Sequence, residues 1–135
     1  MTALPPRKRT LRRRSEVRDL QQPIEVALNR LPGVWAAINR NGSGFYRNGD
    51  PCTFGLGVGS PDIVGGVSCR PVDVTPTVAR LFWLEVKWPG IAPDPHQRQW
   101  MALHRARVPG VFVATVHSVE EAVAAVERCR KGEMQ

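Results

Sequence analysis

The apolar positions of the chain fall into alternating helical and extended runs. Leu20, Ile24, Leu28 and Leu31 recur at spacings of four, four and three, which lays one apolar stripe along a helix. Ser15 stands where its hydroxyl can cap that helix. Pro23 interrupts the stripe, so the helix either kinks there or begins there with the proline at its first position. VWAAIN (34–39) reads as a strand leaving the Pro32-Gly33 turn, and the Gly- and Asn-rich stretch 40–60 reads as a long loop. DIVGGV (62–67) is a short apolar strand. Residues 68–80, with Pro71 and Pro76, are irregular, and LFWLEVK (81–87) is a strand that is apolar until its last three positions.

Asp94-Pro95 opens a second helix, with Asp94 as N-cap, Pro95 at N1 and Gln97 at N3. It runs to about Arg107, with Trp100, Leu103 and Met101 inward. VFVATV (111–116) is a β-branched strand. Ser118 and Glu121 form a capping box for a last helix that presents Ala122, Val123, Val126 and Cys129 inward and ends before Gly132. The order αβββαβα predicts an α/β fold, a mixed central sheet of about four strands flanked by helices.

Composition changes this picture little. With 135 residues, 42% apolar and 23% charged, the chain suits one compact domain and is not disordered throughout. It holds no apolar run long enough to span a bilayer, and its basic N-terminus lacks the apolar segment of a secretory signal. Cys52, Cys69 and Cys129 contain no CxxC pair, which argues against a disulfide framework or a cysteine-rich zinc site and suits a reducing, cytoplasmic compartment. GLGVGS lacks the G-K-[ST] of a phosphate loop, so no nucleotide cofactor is expected.

Charge changes it more. Of the formal net charge of +7, almost all sits in residues 1–18, where Arg7, Lys8, Arg9, Arg12, Arg13, Arg14 and Arg18 face one acid, Glu16. The remainder is near neutral. An arginine-rich arm over residues 1–14 favours polyanions through counterion release, without reading sequence and without separating DNA from RNA.

The candidate chemistry is Asp62, Glu85 and Lys87. Alternation along a strand puts Trp83, Glu85 and Lys87 on one face. Burying such charges in an otherwise apolar strand is costly without partners. If the strands carrying Asp62 and Glu85 are neighbours, two carboxylates and an ammonium converge, an arrangement relieved by Mg²⁺ and suited to phosphodiester hydrolysis. Gln97 has two readings, a capping-box side chain or a contact to the metal site or scissile phosphate. His96, His104 and His117 show no ligand spacing, and Trp83, Trp88 and Trp100 read as core or groove walls.

FGLGVGSPDIVG, FWLEVKWPG and HQRQW, in that order, closely resemble the VRR-NUC (virus-type replication-repair nuclease) branch of the PD-(D/E)xK nuclease superfamily. The likeness spans about residues 15–128. It implies a restriction-endonuclease-like fold and a Mg²⁺- or Mn²⁺-dependent DNA endonuclease, of phage or prophage origin. In that case the compartment is the cytoplasm of a bacterial host, the substrates include branched DNA such as Holliday junctions, and the assembly is a homodimer. Carried across, Asp62, Glu85 and the Val86 backbone carbonyl are metal ligands, Lys87 is the catalytic lysine, and Gln97 is the active-site glutamine. Such proteins take a further acid from the first helix. Here that is Glu16, on the stripe with Leu20 and Ile24, or Glu25 beside it.

Two other functions compete: a non-catalytic nucleic-acid-binding module on a nuclease-like scaffold, and a sequence-specific restriction-type nuclease, which lacks an evident recognition element in a chain this short. The basic arm makes its own prediction. Deleting residues 1–14 should weaken DNA affinity, leave the fold intact and lower the log–log salt slope by about 0.9 for each phosphate that the arm no longer neutralises. Binding isotherms over a salt series check this, and an unchanged slope would mean the arm does not touch phosphate.

Overall fold

A computed structural model describes residues 14–69 and 78–133 of the chain. Arm residues Arg7, Lys8, Arg9, Arg12 and Arg13, and Pro71 and Pro76 of the irregular segment, lie outside the described residues.

The first helix begins at Ser15, whose Oγ accepts the Arg18 N–H (3.3 Å) while its own N–H donates to the Asp19 carboxylate (2.7 Å). A π-helical turn, Val17–Gln21, runs straight into α1, Gln22–Asn29. Pro23 therefore neither starts the helix at its first position nor breaks it. It brings no N–H, and the wide turn before it, closed by the Gln22 N–H on the Val17 carbonyl, accommodates the ring. Leu20, Ile24 and Leu28 are buried as one stripe.

The central sheet has the order β1-β4-β5-β6, where β1 is Val34–Ile38, β4 Ile63–Ser68, β5 Ala79–Val86 and β6 Phe112–Val116. β4 pairs antiparallel with β1 and β5, whereas β5 and β6 are parallel and joined through α2, Pro95–Arg107. The last helix, α3, is Val119–Arg130. The chain is thus a mixed α/β protein with a four-stranded mixed sheet and three helices among the described residues. No described helix is long and apolar enough to cross a membrane.

The two sheet faces have different cover. Ile63, Val67, Phe82, Leu84, Val86, Phe112, Ala114 and Val116 pack with α1 and with Ala122, Ala125, Val126 and Cys129 of α3. On the other face, Met101 of α2 packs with Val111, Val113, Trp83 and Trp100. Leu103, expected inward, is 46% exposed. It lies about 200° around the helix from Met101, so the two cannot share the sheet-facing side. Ser118 caps α3 through the Glu121 N–H, while the Glu121 carboxylate reaches back one residue further, to the His117 N–H. At its end, the Gly132 and Glu133 N–H groups donate to the Cys129 and Arg128 carbonyls, with Gly132 at φ +79°.

The stretch 40–60, expected as a loop, holds a hairpin of β2, Gly42–Phe45, and β3, Pro51–Phe54. Asn48-Gly49 makes its turn, with Gly49 at φ +90° and the Asn48 side chain accepting the Asp50 N–H. β5 also starts earlier than expected, at Ala79.

Gly65 fits β4 because the Phe82 ring and the Trp35 carbonyl occupy the place of a side chain. Gly65→Ala should cost about 1–3 kcal/mol and lower Tm by about 4–10 °C. Gly44→Ala, which would point into open space, serves as the control. Thermal melts by circular dichroism read both.

Candidate active site

Asp62 is positioned by amide side chains at the end of β1. The Asn39 N–H donates to the Asp62 carbonyl (2.7 Å), and Asn39 Nδ2 donates to Ser60 Oγ (2.9 Å) and the Pro61 carbonyl (2.8 Å). Asn41 Nδ2 also donates to Ser60 Oγ (2.8 Å), and Ser60 directs its own proton to the Gly57 carbonyl (2.6 Å). The oxygens of Asn39 and Asn41 accept the Leu56 and Gly57 N–H groups. Gly59, at φ +81°, lies against the His96 carbonyl, where a Cβ would come within 2.6 Å. The turn before Asp62 is therefore tied to β1 on one side and to the start of α2 on the other.

The Asp62 carboxylate accepts the Val86 N–H (2.8 Å), taking the place of a ladder bond where β4 has not yet begun. The N–H and C=O of a strand residue point to the same side, so the Val86 carbonyl opens toward Asp62 as well.

β5 alternates as its pattern predicts. Phe82, Leu84 and Val86 are buried toward α1 and α3, and Glu85 goes to the α2 face with Trp83. Glu85 is completely buried. Its Oε1 accepts a short hydrogen bond from Gln97 Nε2 and lies 3.7 Å from Lys87 Nζ. Its Oε2 has no donor among the described residues. Burial, then the Asp62 charge and a hydrogen bond to Asp62, push the Glu85 carboxyl up to about 9, with Lys87 opposing. The Asp62 carboxylate is close enough to act on Glu85 both through its charge and through a hydrogen bond.

Both readings of Gln97 are compatible in one rotamer. Its side-chain oxygen accepts the Asp94 N–H (2.9 Å), its backbone N–H donates to Asp94 Oδ1 (2.9 Å), and its amide nitrogen is on Glu85. The two first-helix acids separate. Glu16 stands beside Lys87, Asp62 and the Trp88 backbone, and burial pushes its carboxyl up, with Lys87 opposing. Glu25 accepts the Ile38 N–H (2.7 Å) and holds β1. Arg14, where the arm joins the fold, lays its guanidinium over the Trp88 ring, 4.0 Å from the centroid.

The sequence pattern did not single out Asn39, Asn41 and Ser60. The only signal was an N-x-N after a strand and a serine before P-D. His117 is not incidental, for its Nδ1 lies 3.1 Å from the Lys87 carbonyl and 3.2 Å from that of Trp88, pinning the chain just past β5. His104 stacks on Trp100 with ring centroids 3.6 Å apart. Trp83 and Trp100 form the wall between β5 and α2, as expected.

Among the described residues, no three His, Cys, Asp or Glu side chains form a metal-ligand set by themselves. The donors present are a carboxylate pair, an oxygen of Glu85 without a donor, and a backbone carbonyl. They fit a hard cation that completes its shell with water and substrate oxygens.

In metal-free protein, folded Glu85 keeps its proton up to about pH 9, while the unfolded chain releases it near the ordinary glutamate value of 4.5. Between those limits the unfolded state binds fewer protons, so stability falls as pH rises. Glu85→Gln should remove most of that decline and raise Tm near neutral pH by several degrees. Calorimetry in a chelator across this range checks it, and equal slopes would refute a buried protonated carboxyl. Comparison with family models, with curated proteins and with solved structures finds no match.

Proposed function

We propose that the protein is a divalent-metal-dependent DNA endonuclease of the VRR-NUC type, with a restriction-endonuclease-like core and a preference for branched DNA. The observation that carries this reading is the approach of half-buried Asp62 to fully buried Glu85, with Lys87 3.7 Å from Glu85 and one oxygen of Glu85 without a donor. A fully buried acid held beside a second, half-buried one has little structural use, and removing either would relieve the cost of keeping them together.

Asp62, Glu85 and the Val86 carbonyl would hold Mg²⁺ or Mn²⁺, with Glu16 at the margin. When bound, the ion supplies Lewis-acid polarisation of the phosphate and a lowered pKa for an attacking water. The chain supplies the rest. Gln97 fixes the Glu85 rotamer from the first turn of α2. Lys87 donates hydrogen bonds to a phosphate oxygen and offsets charge that grows in the transition state. Arg14, over the Trp88 ring, brings a cation to the same end of the sheet for a flanking phosphate. A two-fold pair of such sites would suit paired cuts across a junction.

One observation favours the competing reading of a non-catalytic binder. Gln97 hydrogen-bonds Glu85, Lys87 lies beside it and the acid keeps its own proton, so the fold can carry it without an ion. Incubation of purified protein with linear and branched DNA and Mn²⁺ separates the two. Wild type should cut, and Glu85→Ala and Lys87→Ala should lower the rate by about 10²-fold or more. Equal trace cleavage by wild type and Glu85→Ala, with no heat on Mn²⁺ titration, would leave the binder.

A further inference from the structure

Beside Asp62 the surface opens into a cleft of about 560 Å³, bounded by Val17 and Gln21 of the first helix on one side and by Phe54 of the hairpin on the other. Asn39 and Arg40 line it between them. The proposed phosphodiester chemistry uses none of these walls except Asp62. We propose that this cleft receives one unpaired DNA nucleotide next to the scissile phosphate, so that the enzyme acts where a strand leaves its duplex. The inference rests on the nuclease reading and adds to it the form of DNA that the site accepts.

Three features point to this occupant. The first is Gln21. It is only 5% exposed, yet its side-chain amide makes no hydrogen bond among the described residues. It is not sealed away either, since Glu85 Oε2 is the one fully enclosed side-chain atom without a partner among them. An amide that is nearly buried, unpaired and part of a cleft wall offers one donor and one acceptor to whatever enters. A base edge carries the complementary pair.

The second feature is Phe54. Its ring lies across Gly42, which has no side chain to displace it, and the residue lines the cleft and remains 55% exposed. A flat apolar face held in place across the cleft from an amide is a stacking surface for a base.

Size and charge make up the third. The volume is that of a small-ligand pocket and has room for one single-stranded or extruded base. Arg40, exposed at the rim, supplies a cation for the phosphate that follows.

The test uses full-length protein in a chelator, so that binding is read without cleavage. Fluorescence anisotropy compares fluorescein-labelled homopolymers of dA, dC and dT with a blunt duplex. Phe54→Ala should weaken single-strand binding about tenfold and leave duplex binding unchanged. Phe54→Tyr should restore it. Gln21→Leu, which keeps the volume, should erase differences among the homopolymers. Equal weakening on single strand and duplex, or none on either, would overturn the proposal. So would light scattering that shows Phe54→Ala splitting a dimer with single-strand affinity intact, since the occupant would then be a second copy. Cleavage that ignores Phe54 sinks the cleft and spares the nuclease. Single-strand binding that needs Phe54, in a protein that never cuts, does the reverse.

Discussion

A carboxyl with no access to water sits at the end of a central strand, and its cost organises the neighbourhood. Glu85 is enclosed by the sheet, by α2 and by Asp62, and an isolated carboxylate in such a place would be strongly disfavoured. The fold answers with an amide from Gln97, an ammonium from Lys87 and a proton held against Asp62. Each of these partners sits on a different element and is fixed by its own local structure: a helix start, a strand end, a sewn turn. The acid is tolerated only because those elements meet at one point.

That meeting depends on strand order. β5 is central, flanked by antiparallel β4 and parallel β6, so its end is the place where the turn into β4 and the crossover into α2 come together. The core face of the sheet is apolar and packed by α1 and α3, and contributes no chemistry. The other face carries Trp83 and Glu85, both covered by α2, through Trp100 and Gln97, while Lys87 beyond them stays partly exposed. The functional groups occupy the boundary between the roofed and the open part of that face.

The sequence made some of this readable and hid the rest for physical reasons. Alternation in LFWLEVK separated Glu85 from Leu84 and Val86 without ambiguity, because a period of two has only two phases. Asp94-Pro95-x-Gln97 announced its capping box, and Ser118 its helix, since caps are local. The choice between Glu16 and Glu25 was not local. Both lie on the inner side of the first helix, and only the register of β1 decides that Glu25 is engaged by the Ile38 N–H. The hairpin stayed hidden because its strands are four residues each, short of apolar residues and nearly devoid of alternation. Leu103 misled because three apolar residues lie within one turn of a helix that covers a patch only wide enough for two.

Gln97 has a consequence beyond its hydrogen bonds. One side chain closes the first turn of α2 with its oxygen and grips Glu85 with its nitrogen, so the helix start and the strand end share a single latch. Fraying of that turn releases the acid, and any ligand that draws the acid away loosens the turn. Order in the first turn of α2 and the position of the acid at the end of β5 are thereby linked through one amide group.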